Sequence, residues 1–212
     1  MTRREWFMAA GAPLVALLLQ GCVEMAVIGA GTAVMSAEDR RTTGTQLEDE
    51  SIELRAANRI NERYAAKTHI NVTSFNRAVL LTGEAPDENI KADIEKIVLG
   101  LPNVRGVTNE IQIEGAASLG SRSNDTFLTS KVKARFLDAR RFNVLHVKVV
   151  TEAGVVYLLG IVTEKEAEAA VEVARTTGGV RKVVKIFEYC QPTDVICRPR
   201  PAPQSEDSTR KA

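Results

Sequence analysis

Read for its apolar and polar positions, the chain from residue 47 onward is one unit written twice. Ile52, Ala56 and Ile60 recur at four-residue spacing, as do Leu128, Val132 and Phe136, and each set predicts the apolar stripe of an amphipathic helix. Two short β-rich runs follow each stripe, near 69–75 and 78–83 in the first copy and near 146–151 and 155–160 in the second. Asn76-Arg77 and Glu152-Ala153-Gly154 read as the turns between them. Gly83 and Gly160 close the second run, where a residue without Cβ permits an unusual φ or a close backbone approach. Further helices are predicted from about 87 to 99 and from 164 to 176, with Asp87 and Thr163 or Glu164 suited to their N-termini. A last strand covers about 106–113 and 182–189.

The register of the repeat is readable residue by residue. A shift of 76 places Asp49, Ile52, Arg55, Arg59 and Ile60 on Asp125, Leu128, Lys131, Arg135 and Phe136. A shift of 77 places 69–73 on 146–150, and Val79, Leu81 and Gly83 on Val156, Leu158 and Gly160. The shift of 76 returns for Val104-Arg105-Gly106-Val107 on Val180-Arg181-Lys182-Val183. A one-residue slip in the loop before the first strand accounts for the change. The fold class is therefore α+β: two tandem αββαβ domains, each a small mixed three-stranded sheet with two helices on one face. The helical connection from second strand to third favours a parallel pairing there.

Residues 1–21 read as an export segment. Arg3 and Arg4 supply a basic start, and residues 6–19 an apolar stretch short for a membrane span. Leu19-Gln20-Gly21-Cys22 resembles a bacterial lipobox, in which the Cys is acylated and becomes the mature N-terminus. The alternatives are a plain signal peptide with a bystander Cys, or a short anchor helix. Lipidation places diacylglycerol and an N-linked acyl chain such as palmitate on Cys22, an effectively stable attachment. Val23 in place of Asp favours the outer membrane. The expected organisation is a signal segment 1–21, a lipidated linker 22–46, a first domain 47–114, an inter-domain linker 115–122, a second domain 123–189 and a Cys/Pro-rich tail 190–212. Within the first linker, 23–34 is small and apolar and 38–44 is polar.

Composition narrows the function classes. The chain has 28 Lys+Arg against 27 Asp+Glu, a net charge of +1, which disfavours a protein that coats nucleic acid. With 44% hydrophobic and 26% charged residues it is neither disordered nor polytopic. Two His and three Cys leave little for a metal centre or a nucleophile–base pair. His69 and His146 occupy one repeated position, so duplication explains them better than catalysis. Glu164, Glu166, Glu168 and Glu172 lie on a helix with Lys165 and Arg175, as a solvated face. No Gly-rich phosphate loop, nucleophile elbow or metal-spaced set is present, and no cofactor is expected. Cys190 and Cys197 are expected to pair in an oxidising compartment, since redox catalysis prefers a CxxC spacing. The reading is non-enzymatic.

The αββαβ order, the Leu-x-Gly that ends each second strand and the Val-Arg-x-Val before the third resemble the BON domain. Two such domains behind a lipobox resemble the dual-BON outer-membrane lipoproteins. Leu18 to Val23, Gly44-Thr45-Gln46, Ile70-Asn71-Val72-Thr73, Asn109-Glu110-Ile111, Ser123-Asn124-Asp125-Thr126 and Val162-Thr163-Glu164-Lys165-Glu166-Ala167 carry that likeness. The resemblance implies a periplasm-facing lipoprotein that supports outer-membrane integrity and concentrates at the division site. It also implies a second BON domain that binds anionic phospholipid, and a link to the β-barrel assembly machinery.

The two copies test that implication against each other. At about 100° per residue, Phe127, Lys133, Ala134, Leu137 and Arg141 fall on the helix face turned from the core stripe. The first copy has Ser51, Ala57 and Asn61 where the second has Phe127, Lys133 and Leu137. Residues 47–114 carry 8 bases and 12 acids, whereas 123–189 carry 11 bases and 8 acids. Near an anionic bilayer each base contributes about 1 kcal/mol. The expected phospholipid site is Phe127, Lys133 and Leu137, with Ala134 among them and Lys131, Arg135, Arg140 and Arg141 around. Members of the family commonly have Trp at the Phe127 position. The competing expectation is that Phe127 and Leu137 pack on the first domain or on 115–122. The competing function is a periplasmic adaptor for outer-membrane protein assembly, docking through this helix or the acidic first domain.

Overall fold

The computed structural model describes residues 39–113 and 119–198, with backbone alone for 119–122. The signal segment, Cys22, residues 23–38, residues 114–118 and the tail from 199 lie outside the described residues. The first half runs α1 (Thr43–Tyr64), β1 (His69–Phe75), β2 (Ala78–Ala85), α2 (Glu88–Leu99), β3 (Gly106–Asn109) and β4 (Gln112–Ile113). The second runs α3 (Leu119–Ala139), β5 (Val147–Glu152), β6 (Val155–Val162), α4 (Glu164–Arg175) and β7 (Lys182–Tyr189). In both halves the first two strands pair antiparallel, and the helical crossover makes the last strand parallel to the middle one. The third strand expected at 106–113 is broken: Ile111 turns fully into the core, leaving β3 and β4 as separate pieces along β2.

Alternation along the central strands decides what they touch. Val79, Leu81 and Ala85 of β2 meet Ile52, Ala56 and Ile60 of α1 and Ile94 and Val98 of α2. Val156, Leu158 and Val162 of β6 meet Val132 and Phe136 of α3 and Ala170 and Ala174 of α4. Gly160 stands where a Cβ would collide with the His146 carbonyl oxygen, and Gly83 stands likewise against His69. The repeated glycine lets the start of the first strand lie close across the middle one. The second helices begin on capped ends: Asp87 accepts from the Ile90 amide, and Thr163 with Glu166 forms a capping box.

Each hairpin is held by a carboxylate from the helix ahead of it. Asp49 accepts from the amides of Asn76 and Arg77 at 2.8 and 2.7 Å, and Asp125 from those of Ala153 and Gly154 at 2.9 and 2.8 Å. All four turn residues have positive φ, the two-residue turn whose twist matches its strands. Three of them carry a Cβ, so an anionic acceptor offsets a backbone conformation that L-residues disfavour. Asp49 and Asp125 are both buried.

The helix-free faces of the two sheets pack on each other. Phe75 and Leu80 meet Tyr157, Leu159 and Ile161, with Cys190 and Cys197 at the margin. Burial raises the pKa of the Tyr157 hydroxyl, with Glu110 and Glu152 adding to the effect. Asn71 donates to Glu152 at 2.8 Å, Lys148 to Glu53 at 3.1 Å, and both Asn76 and Arg105 to Glu188, all across this interface.

The segment expected as polar linker, 38–44, is built into the structure from Asp39 on. Arg41 joins Asp39 and Asp49 and stacks on Phe75 at 4.0 Å, in the first half. Arg40 reaches the second half, donating to Glu166 at 2.7 Å, the Ile161 carbonyl at 2.8 Å and the Cys197 carbonyl at 3.4 Å. Thr43 already begins α1, with Thr42 as its cap. Residues 119–122, assigned to the inter-domain linker, are the first turn of α3. For 39–42 the cause is that Arg40, Arg41 and Thr42 gain charge and capping partners that exist only after folding.

Two outcomes are expected. Replacing Asp125 by Ala leaves two turn amides without an acceptor and should lower unfolding free energy by about 2–3 kcal/mol in urea titrations; an unchanged midpoint would contradict the clamp. Burial alone would raise the Glu166 pKa, but Arg40, the Thr163 amide and His146 hold it down, from 4.5 to about 2. A depressed carboxyl stabilises the fold fully above its unfolded pKa and loses that contribution as pH falls through its folded one. The stability gap between the parent and Glu166→Gln should therefore be widest above about pH 4.5 and close towards pH 2.

Candidate functional site

The residues proposed to meet a ligand lie on α3, whose other face carries Leu128, Val132 and Phe136 into the core. That docking, fixed at one end by Asp125, turns the opposite face to solvent. Phe127 is 67% exposed and Leu137 60%, so neither packs on the first half. They stand about 15 Å apart along the helix axis. Lys133 and Ala134 are exposed between them, and Arg140 and Arg141 are exposed just beyond the helix end.

The cations of this helix divide into two groups. Lys131 donates to the Gly178 carbonyl at 2.9 Å, and Arg135 to the Val173 carbonyl at 3.1 Å and the Thr177 hydroxyl at 2.9 Å. Both therefore satisfy groups at the C-terminal end of α4, where a positive charge is favoured. Among the described residues Lys133, Arg140 and Arg141 have no such partner. The free cations are those at mid-helix and at its end.

Other chemically suggestive groups serve the fold. His146 Nδ1 lies 3.1 Å from Glu166 Oε1, and the same carboxylate also holds Arg40 and the Thr163 hydroxyl of the helix cap. Cys190 and Cys197 are joined in a disulfide, with both residues buried. Among the described residues no three His, Cys, Asp or Glu converge as a metal site, and no helix is long and apolar enough to cross a membrane.

Residues 48–115 and 124–191 both match the BON domain. The chain belongs to the BON-domain family. It is 37% identical to outer membrane lipoprotein DolP of Haemophilus influenzae over 175 residues, 82% of this chain and 91% of that one. It is 36% identical to the 21 kDa hemolysin of Actinobacillus pleuropneumoniae over 155 residues, 72% of this chain and 80% of that one. The C-terminal domain of CdsD, a type III secretion protein of Chlamydia trachomatis, overlaps 69% of this chain and 98% of its own at 11% identity, with a TM-score of 0.28. That last value is too low to carry an argument.

The first BON domain has an apolar outward pair that the repeat comparison missed. Leu47 and Leu54 are 61% and 64% exposed on α1, where α3 has Ser123 and Ser130. Its sequence signal is the seven-residue spacing of Leu47 and Leu54, at positions other than those that match Phe127, Lys133 and Leu137. Exposed Glu50 and Asn58, with no cation, accompany this pair on the outward face. What separates the two BON domains is therefore less apolar area than charge beside it.

The division of cations has a measurable consequence. Arg135→Ala should lower unfolding free energy by about 1 kcal/mol, whereas Lys133→Ala should leave it within about 0.5 kcal/mol. Equal effects in urea titrations would contradict the assignment of Arg135 to α4.

Proposed function

We propose that this protein is a non-enzymatic outer-membrane lipoprotein that binds anionic phospholipid through α3 of its second BON domain. The observation that carries the reading is an outward helix face presenting Phe127 and Leu137 with Lys133 between them and two free arginines at its end. Large apolar groups held out in water without a partner mark an interaction surface, and the accompanying cations fit a negatively charged bilayer. Insertion of Phe or Leu contributes about 1–3 kcal/mol each. Such docking is weak and reversible alone, and a lipid on Cys22 compensates by confining the domain near the membrane.

The lipobox-like Leu19-Gln20-Gly21-Cys22 and the similarity to an outer membrane lipoprotein support attachment at the outer membrane, facing the periplasm. Cys22 would bear diacylglycerol and N-linked palmitate. Support of envelope integrity, enrichment at the division site and a link to the β-barrel assembly machinery are further parts of the proposal, resting on family resemblance. Leu47 and Leu54 on α1 favour a second reading, an adaptor for outer-membrane protein assembly that docks a protein on the cation-poor first domain.

Co-sedimentation with vesicles separates the readings, using residues 22–212 with Cys22→Ser so that no acyl chain contributes. Phe127→Glu combined with Lys133→Glu should weaken binding to anionic vesicles by about tenfold or more, and Leu54→Glu should leave it intact. Parent-strength binding by the double variant would remove the lipid reading. Loss of binding in Leu54→Glu alone would move the site to α1.

A further inference from the structure

We propose that the disulfide-closed loop after the last strand, residues 190–197, is a separate membrane contact, whose Val195 and Ile196, with Tyr189 beside them, enter the interfacial layer of the bilayer. This rests on the reading of the protein as lipid-anchored through Cys22. The loop is an addition to the repeat: the first copy carries no cysteine, and the BON match ends at residue 191. Its base belongs to the fold. Cys190 and Cys197 are buried at the margin of the sheet-on-sheet core, and the Cys190 amide donates to the Val162 carbonyl at 3.0 Å. Its tip does not. The short 3-10 turn Val195–Cys197 leaves Val195 85% and Ile196 44% exposed, and Tyr189, just before the bridge, is 59% exposed. Tyr189 and Ile196 each adjoin a bridged cysteine, and the Cα atoms of that pair are 6.1 Å apart, so the three side chains share one small projection.

A staple that served stability alone needs no branched aliphatic side chains at its tip. The bridge also restricts the loop in advance, so little ordering entropy is left to lose on contact. Shape, charge and position name the occupant. A convex tip of two aliphatic groups beside a tyrosine fits the boundary between acyl chains and water, where an aromatic ring with a hydroxyl is favoured. The acid of the loop is turned inward, Asp194 accepting from the Gln191 amide at 2.7 Å, while Arg198 just past the bridge is exposed. Arg40 donates to the Cys197 carbonyl, which fastens the loop to the segment arriving from Cys22. Residues 22–40 span at most about 60 Å when extended, so a lipid on Cys22 confines this end of the second domain near the bilayer. Val147 lies opposite Gly160 and Tyr189 opposite Val162, which puts the loop at the end of the sheet to which α3 leads. Selection of anionic lipid stays with α3. The loop contact is apolar and indifferent to headgroup charge.

Residues 22–212 contain no tryptophan, so Val195→Trp and Leu99→Trp each give a single fluorescent reporter. Each is coupled through Cys22 to a maleimide lipid in phosphatidylcholine vesicles with brominated acyl chains, with and without phosphatidylglycerol. Val195→Trp should be blue-shifted and strongly quenched in both compositions, and Leu99→Trp in neither. In co-sedimentation of the untethered Cys22→Ser chain with anionic vesicles, Val195→Ser combined with Ile196→Ser should weaken binding by about tenfold and leave Tm unchanged. An unquenched Val195→Trp, equal quenching of Leu99→Trp, or parent-strength binding by the double serine variant would overturn the proposal. A blue shift of Val195→Trp that grows with protein concentration in the absence of vesicles would overturn it in favour of self-association. If the loop variants behave as expected while Phe127→Glu with Lys133→Glu binds like the parent, the loop contact stands and the reading of α3 fails. If only the α3 variant loses binding, the loop proposal fails alone.

Discussion

In each half of this protein one buried carboxylate, Asp49 or Asp125, ties the first helix to the tip of the first hairpin. Much else follows from that bond. It stabilises a tight turn built from positive-φ residues, three of them not glycine. It sets how far the helix slides along the sheet, and so which residues face inward. The same register that buries Leu128, Val132 and Phe136 leaves Phe127 and Leu137 in solvent. The exposed surface is the necessary complement of the clamp.

The second constraint is that the central strands are covered on both sides. Every residue of β6 from Val156 to Val162 is buried, with helices on one face and the other BON domain on the other. The helix-free faces are consumed by this pairing, and Arg40 and Arg41 secure it from the chain that enters at Asp39. The outward sides of α1 and α3 remain accessible. Duplication then allowed divergence: one copy holds an apolar pair with an acid, the other an apolar pair with free cations.

The repeat, the element order, the strand pairing and the core stripes were legible because they rest on local periodicity. The paired Asp49 and Asp125 were visible as a coincidence of register, but their bonds to turn amides were not. The packing of sheet on sheet had a signal that went unused: Val155-Val156-Tyr157-Leu158-Leu159 is apolar at every position, which two helices on one face cannot explain. Arg40 and Arg41 read as linker because their partners, Glu166 and Asp49, are assigned only by the fold. Within the candidate site, exposure of Phe127, Lys133 and Leu137 agrees with the helical wheel, whereas Arg140 and Arg141 are exposed beyond the helix end, where a wheel no longer applies. Lys131 and Arg135 differ, since a wheel shows angle but not the reach of a long side chain to a neighbouring helix end.

The central claim is that recognition is confined to the outward face of α3 and its C-terminal turn. Amide and methyl shift mapping of the unlipidated mature chain with anionic bicelles tests it most directly. The account predicts the largest perturbations at Phe127, Lys133, Leu137, Arg140 and Arg141, with Leu47, Leu54 and the Phe75–Tyr157 interface unmoved. Perturbations centred on α1, or spread through the interface between the two sheets, would contradict it.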